Sequence, residues 1–324
     1  MNKKPFQSFD QQIQILKSRG LKFTSEETAL NALKSYGYYN IINGYKDPYV
    51  HQINGEEKYL DGITFERILS LFQIDQIISF SIMNAMLRLE ASLKTAAAYA
   101  ISEAFSSDQQ EYLKKTHYRS GKYRKDKYGN TSSQLDNILL KFNKILNDDA
   151  QPYKHYREDH HNIPPWILFK GASFGNMVNF VKLQRSNIKN RIISLMYNIP
   201  EPIVNELQEI KELFMDTLFV CLDYRNATAH GMRIYNMETK AKYRYNALLH
   251  PSIGISEADY RKGTGLTGII PLCGSLQYFD NKSPLRTILA GCDMCLTAHT
   301  QLYPEDEEYL NSFINTSAIE FNNN

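Results

Sequence analysis

The amino-acid sequence predicts an all-α protein: a helical bundle core with additional N-terminal helices and a less regular C-terminal extension. Three observations carry that expectation. Over residues 64–105 the chain contains neither glycine nor proline, and Ile68, Leu71, Phe72, Ile78, Ile82, Met86, Leu89 and Leu93 recur at helical spacing. Other segments repeat this periodicity between cap and stop residues. Strand signals are scarce, the clearest being the turn dipeptide Asn54-Gly55.

Taken in order, residues 8–19 space Phe9, Ile13, Ile15 and Leu16 as a short helix, with Ser8 as N-cap and Gly20 as stop. Thr24-Ser25-Glu26-Glu27-Thr28 opens a second helix that Gly37 ends. Residues 44–62 read as a loop with a small hairpin at Asn54-Gly55. The long helix comes next, then a polar insertion over 106–134, a helix over 135–146 and a loop over 150–165. Pro164-Pro165-Trp166 starts another apolar helix, Gly171 to Gly175 interrupts it, and it resumes at Met177. Helices are expected over 188–197 and 204–224. Residues 251–271 hold too many glycines for a helix and read as extended or loop, whereas 275–303 regain the periodicity of one or two helices. The tail from Phe321 to Asn324 is expected to fray. These elements group as an N-terminal helical region (1–60), a helical core (61–240) and a C-terminal extension (241–324).

Composition narrows the class. With 324 residues, 43% hydrophobic and 22% charged, the chain can fill a core. No run of about 18 apolar residues is present, and the start, Met1 to Ser8, lacks the apolar centre of a secretory signal, so a cytoplasmic protein without a membrane partner is expected. Four cysteines make no disulfide framework. Thirty-seven basic against 35 acidic residues leave +2, but the charge is uneven. Lys114, Lys115, Arg119, Lys122, Arg124, Lys125 and Lys127 crowd the polar insertion, as a surface for a nucleic-acid backbone would. Tyr36, Tyr38, Tyr39 and Tyr45 form a second cluster, which suits either base stacking or the edge of a packed helix.

The stretch from Leu222 to Gly231 ends an apolar helix in side chains that packing does not require. On a helix, Asn226 and His230 share a face and Arg225 lies on its flank, with Gly231 able to stop the helix beyond His230. An arginine fork grips phosphate and stays charged at any working pH. Imidazole, with an ordinary pKa near about 6.5, can take a proton from an RNA 2′-hydroxyl or give one to a leaving oxygen without a metal. Asn226 is suited to orienting either group. By themselves, the same three residue types also meet in ordinary helix ends.

Arg225-Asn226-x-x-x-His230 resembles the R-x(4–6)-H motif of HEPN ribonucleases, including the asparagine after arginine. Four stretches resemble bacterial abortive-infection (Abi) proteins of the AbiD/AbiF type. They are Lys4 to Leu21 with Tyr38 to Tyr45; Gly62 to Glu66 with Phe72-Gln73-Ile74-Asp75 and Leu87 to Thr95; Pro165 to Leu168 with Ser173-Phe174-Gly175; and the motif through Asn236. Tyr235 stands where many relatives carry tryptophan. The resemblance implies an all-α HEPN-like core and a metal-independent endoribonuclease that uses no cofactor. It also implies a homodimer whose two motifs face one another, and the toxic effector role in phage defence. A small structured regulatory or antitoxin RNA is an expected partner beside the RNA substrate. On this reading Arg225 holds the scissile phosphate, His230 is acid or base, Asn226 orients them, and Arg233 is a further phosphate contact.

Other features carry less. The adjacent His160 and His161 point apart, so His155, His160 and His161 are not expected to hold a metal. Arg88 and Glu90 on the long helix read as a solvated ridge. Gly263-x-Gly265-x-x-Gly268 lacks the strand and helix of a nucleotide loop, and Cys292-x-x-Cys295 reads as a buried helical pair. The rival to an enzyme is a non-catalytic HEPN module that binds RNA or acts as a scaffold. A metal-dependent enzyme is disfavoured because no paired carboxylates stand at ligand spacing near the motif.

Overall fold

Capping chemistry sets the element boundaries. In the computed structural model, which describes residues 5–125, 127–317 and 319, Ser8 and Gln11 exchange side-chain and backbone hydrogen bonds and open α1 (Phe9–Ser18) with a capping box. Ser25 caps α2 (Glu26–Tyr36). A π-helical turn over Tyr39–Asn43 comes next. Asn54 and Gly55, at φ +52° and +80°, then fold β1 (Val50–Ile53) onto β2 (Glu56–Tyr59). Lys4 and the tail over 321–324 lie outside the described residues.

Thr64 caps α3 (Phe65–Ala104), 40 residues long and so about 60 Å. It is the axis of the molecule, packing against helices from both the N-terminal and the C-terminal thirds of the chain. The polar insertion contains α4 (Gln109–Tyr112) and a hairpin of β3 (Tyr123–Lys125) with β4 (Thr131–Ser133), and α5 (Gln134–Leu146) succeeds it. The expected loop over 150–165 instead forms α6 (Tyr153–Asp159), steadied by Arg157 donating to the Leu146 and Asp148 carbonyls. Next come α7 (Pro165–Gly171), α8 (Phe174–Lys182) and α9 (Ser186–Tyr197).

The single helix expected over 204–224 is two: α10 (Glu201–Glu206) breaks at an extended Leu207, and α11 (Gln208–Ala229) resumes beyond it. Asn190 of α9 donates to the Asn205 side chain and Lys211 to the Asn205 carbonyl, so contacts from outside hold the break. The region expected to be extended or loop is part loop, over 253–256 and 262–268, and part helix, with α12 (Leu249–Ser252), α13 (Glu257–Arg261) and α14 (Ile269–Leu276). Pro271 lies in the first turn of α14, where a helix needs no N–H.

The last helices, α15 (Ser283–Leu302) and α16 (Glu307–Ile314), complete an all-α fold. Side chains from the N-terminal region, the core and the C-terminal extension share one buried cluster. Helix α15 runs antiparallel along α3, from Ser283 beside Arg88 to His299 beside Ser70. The two approach so closely that a Cβ on Gly291 would stand 2.3 Å from Ser81 Oγ. By length and mean hydropathy α3 is apolar enough to cross a bilayer, although the sequence holds no unbroken apolar run; half of its most apolar stretch is buried against other elements, as in a bundle core.

Asp306 ties three segments together. Its carboxylate accepts from Tyr49 Oη (2.7 Å), from Arg67 Nε and Nη2 (2.9 and 2.6 Å), and contacts His299 Nε2 at 2.9 Å. Burial pushes the carboxyl up, but hydrogen bonds from His299, Arg67 and Tyr49 outweigh it and leave the pKa lowered to about 2. Because the folded value lies below an ordinary carboxyl's, the stabilisation is complete above about pH 4 and is lost as pH falls toward about 2. Asp306→Ala leaves the half-buried Arg67 guanidinium with only Glu305, at 3.5 Å, and is expected to cost about 2 kcal/mol in denaturant unfolding at pH 7. The difference from the parent protein should shrink in acid; a constant difference down to about pH 2 would contradict this account.

Candidate active site

Helix α11 ends in a Schellman turn. The Met232 amide donates to the Ala227 carbonyl at 3.1 Å and the Gly231 amide to Thr228 at 3.2 Å, with His230 as C-cap. This closure needs a left-handed residue, supplied by Gly231 at φ +64°. Asn226 and His230 therefore stand one above the other, both exposed. Arg225 is half-buried beside them, and its Nε is buried without a hydrogen-bond partner. Among the described residues neither Arg225 nor His230 forms a salt bridge.

A buried carboxylate fixes the loop beyond this helix. Asp75, on α3 and fully buried, accepts from the Ile234 amide (3.0 Å) and the Tyr235 amide (2.6 Å), and from Tyr45 Oη at 2.5 Å. Burial raises its pKa, opposed by those same three hydrogen bonds. The chain then returns along α11. Asp223 accepts from the Ala241 amide, and Asp216 pairs with Arg244 through two oxygens. Seven helical residues and three extended ones both span about 10 Å, so the two registers match.

Between the Asp75 hub and the tyrosine cluster lies a recess of about 660 Å³, bordered by Tyr36, Tyr39, Asn40, Asn43, Gln76 and Met232. Arg233 is on its wall, donating Nη1 to the Gly44 carbonyl (2.6 Å) and to Asp47 (3.1 Å), so its guanidinium is partly committed within the protein. Of the tyrosines, Tyr45 is buried in the hub while Tyr36 and Tyr39 face solvent.

The basic residues of the insertion divide. Lys114 and Lys115 pair with Glu111 and Asp136, and Arg119 donates to Ser186 Oγ. Lys127 lies over the Tyr128 ring. Lys122, Arg124 and Lys125 converge on a recess of about 580 Å³ that also takes Lys141, Asn137, Asn176 and Asn179. Helix α8 carries this recess to the motif: Asn176 adjoins Gly175, whose Cβ position is 3.5 Å from Leu222, one turn before Asn226 on α11. No local sequence pattern marks Lys141, Asn176 or Asn179 as members of a site. Asp75 stands within a family-like stretch, yet only the fold assigns it a task.

The remaining sequence candidates are structural. His155 contacts Asp159 at 2.5 Å, and no metal-holding group of His, Cys, Asp or Glu occurs among the described residues. Arg88 donates to Asn84 and Ser283, and Glu90 pairs with Lys94 at 2.7 Å. All four cysteines are free and buried. A helix does begin after Gly268, contrary to expectation, but α13 precedes the glycines in place of the strand that a nucleotide loop requires.

If Asp75 holds the loop, Asp75→Ala should speed hydrogen exchange at the Ile234 and Tyr235 amides by roughly tenfold or more, since a buried amide without an acceptor costs about 1–3 kcal/mol. Unchanged protection at both amides would show that the carboxylate is not the anchor.

Comparison with known proteins completes the site. Residues 31–236 match the family of Abi-like proteins. That span takes in the second half of α2, the tyrosine cluster, Asp75, the α8 contact and the whole motif; of the family-like stretches in the sequence, only the one before residue 31 falls outside it. No curated protein and no solved structure matches the chain. With well over half of the 324 residues matched, and all three side chains of the α11 terminus among them, the chain belongs to the Abi-like protein family.

Proposed function

We propose that this protein is a metal-independent endoribonuclease of the HEPN type, the effector of an abortive-infection system acting in the cytoplasm. Family membership supports the role in abortive infection. The observation that carries the chemistry is an arginine and a histidine on one helix end, neither paired with a carboxylate among the described residues, with Asn226 between them. A half-buried guanidinium without a partner is costly to keep, and a phosphate would satisfy it.

In the proposed reaction, imidazole of His230 takes the proton of a ribose 2′-hydroxyl. The 2′-oxygen attacks phosphorus, and the bond from phosphorus to the 5′-oxygen breaks. The departing 5′-oxygen receives a proton from imidazolium, leaving a 2′,3′-cyclic phosphate and a 5′-hydroxyl. Arg225 offsets the charge that builds on the phosphoryl oxygens, and Asn226 orients the imidazole or the phosphate. Lys122, Arg124, Lys125 and Lys141 hold the backbone of the same strand, with Lys127, Arg119, Lys114 and Lys115 around them. A small structured RNA, bound on the same cations, is the proposed regulator.

The active form is a homodimer. Ile77, Phe80 and Leu87 form an exposed apolar stripe on α3, Phe80 being 73% exposed. The stripe borders the motif, because Met83, next to it on α3, lies 3.8 Å from Thr228 Oγ1. Met232 adds a further exposed apolar side chain just beyond His230. A second copy covering this stripe would bring two motifs together.

Two outcomes are expected. In EDTA the protein should cut single-stranded RNA to 2′,3′-cyclic phosphate ends and leave matched DNA intact, with His230→Ala slower by about 10²-fold or more. Intact RNA, after any bound RNA has been stripped away, would leave a binding module instead. Phe80→Glu should convert a dimer to a monomer in light scattering and lower cleavage at least about tenfold; a fully active monomer would overturn the composite site.

A further inference from the structure

The tyrosine-bordered recess beside the motif differs in chemistry from the basic recess that α8 borders. Its charged lining residues, Asp47 and Arg233, pair with each other at 3.1 Å. The remaining polar groups are neutral: the phenols of Tyr36 and Tyr39 and the amides of Asn40, Asn43 and Gln76. Four cations converge on the basic recess, which suits phosphate; a neutral recess of about 660 Å³ suits a flat polar molecule without charge.

The backbone is arranged to present these groups. Gly37, at φ +82°, turns the chain out of α2 into the π-helical turn. Ile41 and Ile42 of that turn are wholly buried, which holds Tyr39, Asn40 and Asn43 outward. Tyr36 is a fixed wall, its ring centroid 5.1 Å from that of Phe72. Tyr39 is 75% exposed, and no other ring packs against it among the described residues. Gln76 stands two turns, about 10 Å, before Met83, the residue that touches Thr228 of the motif. Gly231 and Met232, directly after His230, close the recess.

We propose that this recess is a nucleobase pocket, seating the base next to the scissile phosphate by stacking on Tyr39 against the Tyr36 wall, its edge read by Asn40, Asn43 and Gln76. Asn40 Nδ2 donates to the Tyr36 carbonyl at 2.8 Å, which leaves its Oδ1 to accept from a base edge, and Gln76 also bonds the Tyr45 side chain, so Asn43 is the amide best placed to donate and accept at once. The pocket therefore sets which nucleotide flanks the cut, and Asp75 holds it in register with His230 by binding Tyr45 on one side and the Ile234 and Tyr235 amides on the other. The inference rests on the ribonuclease reading for its orientation, but not for the existence of the pocket.

The test therefore has two arms. In the first, a single-stranded oligonucleotide, 2′-O-methylated throughout so that it resists cleavage, carries 2-aminopurine at one position at a time. Fluorescence should change on binding at one or two positions, and Tyr39→Ala should abolish that change and weaken binding roughly tenfold. In the second arm, unmodified RNAs differing only in the nucleotide beside the cut should be cleaved at different rates, and Asn40→Ala or Gln76→Ala should level the rates. Cleavage that is indifferent to the flanking base, with fluorescence unaltered by Tyr39→Ala, would overturn the pocket while leaving the nuclease. A Tyr39-dependent fluorescence change without cleavage of any RNA would keep the pocket and overturn the nuclease. Absence of both would overturn both.

Discussion

A single carboxylate inside the bundle holds the functional end of this molecule together. Asp75 is on the central helix α3, and without partners its burial would be prohibitive. It is stabilised by three donors from two distant segments, Tyr45 before it and the Ile234 and Tyr235 amides long after it. Those donors are the contacts that place the tyrosine cluster and the loop beyond His230 side by side. No neutral side chain of similar size substitutes well: asparagine has one acceptor oxygen and would turn an N–H toward another donor.

The end of α11 shows the opposite economy. Arg225 is half-buried with an unsatisfied Nε, and His230 stands exposed on a cap residue. Such an arrangement contributes little to folding, and local destabilisation of this kind is characteristic of sites that bind a ligand. Stability comes from elsewhere. The antiparallel packing of α15 on α3, drawn tight where Gly291 meets Ser81, and the Asp306 cluster at Arg67 secure the N-terminal half of the long helix. In that frame the C-terminal extension is part of what holds α3 in place.

The charge around the motif divides along the same logic. Cations gather in one recess, bordered by α8, and neutral aromatic and amide groups in the other, bordered by the loop after α11. On the proposed function, an RNA strand would meet cations in the first recess and neutral rings and amides in the second. That division separates affinity, which cations supply without regard to sequence, from selectivity, which needs edges and rings.

Much of this architecture is legible in the chain. Helix positions come from apolar spacing and from caps such as Ser8, Ser25 and Thr64, the first hairpin comes from Asn54-Gly55, and the arginine–histidine cluster is visible as polarity that a helix end does not need. Each depends on neighbours a few residues apart, so each leaves a local pattern. The enlistment of Lys141, Asn176 and Asn179, the commitment of Lys115 and Arg233, and the hub at Asp75 leave none. These depend on groups far apart in sequence that meet only when the bundle closes. By itself the sequence determined most of the helical segments and which residues carry reactive groups. Only the tertiary structure decided which of those groups are occupied by partners and which remain available, because that is settled by long-range hydrogen bonds and charge pairing across the bundle.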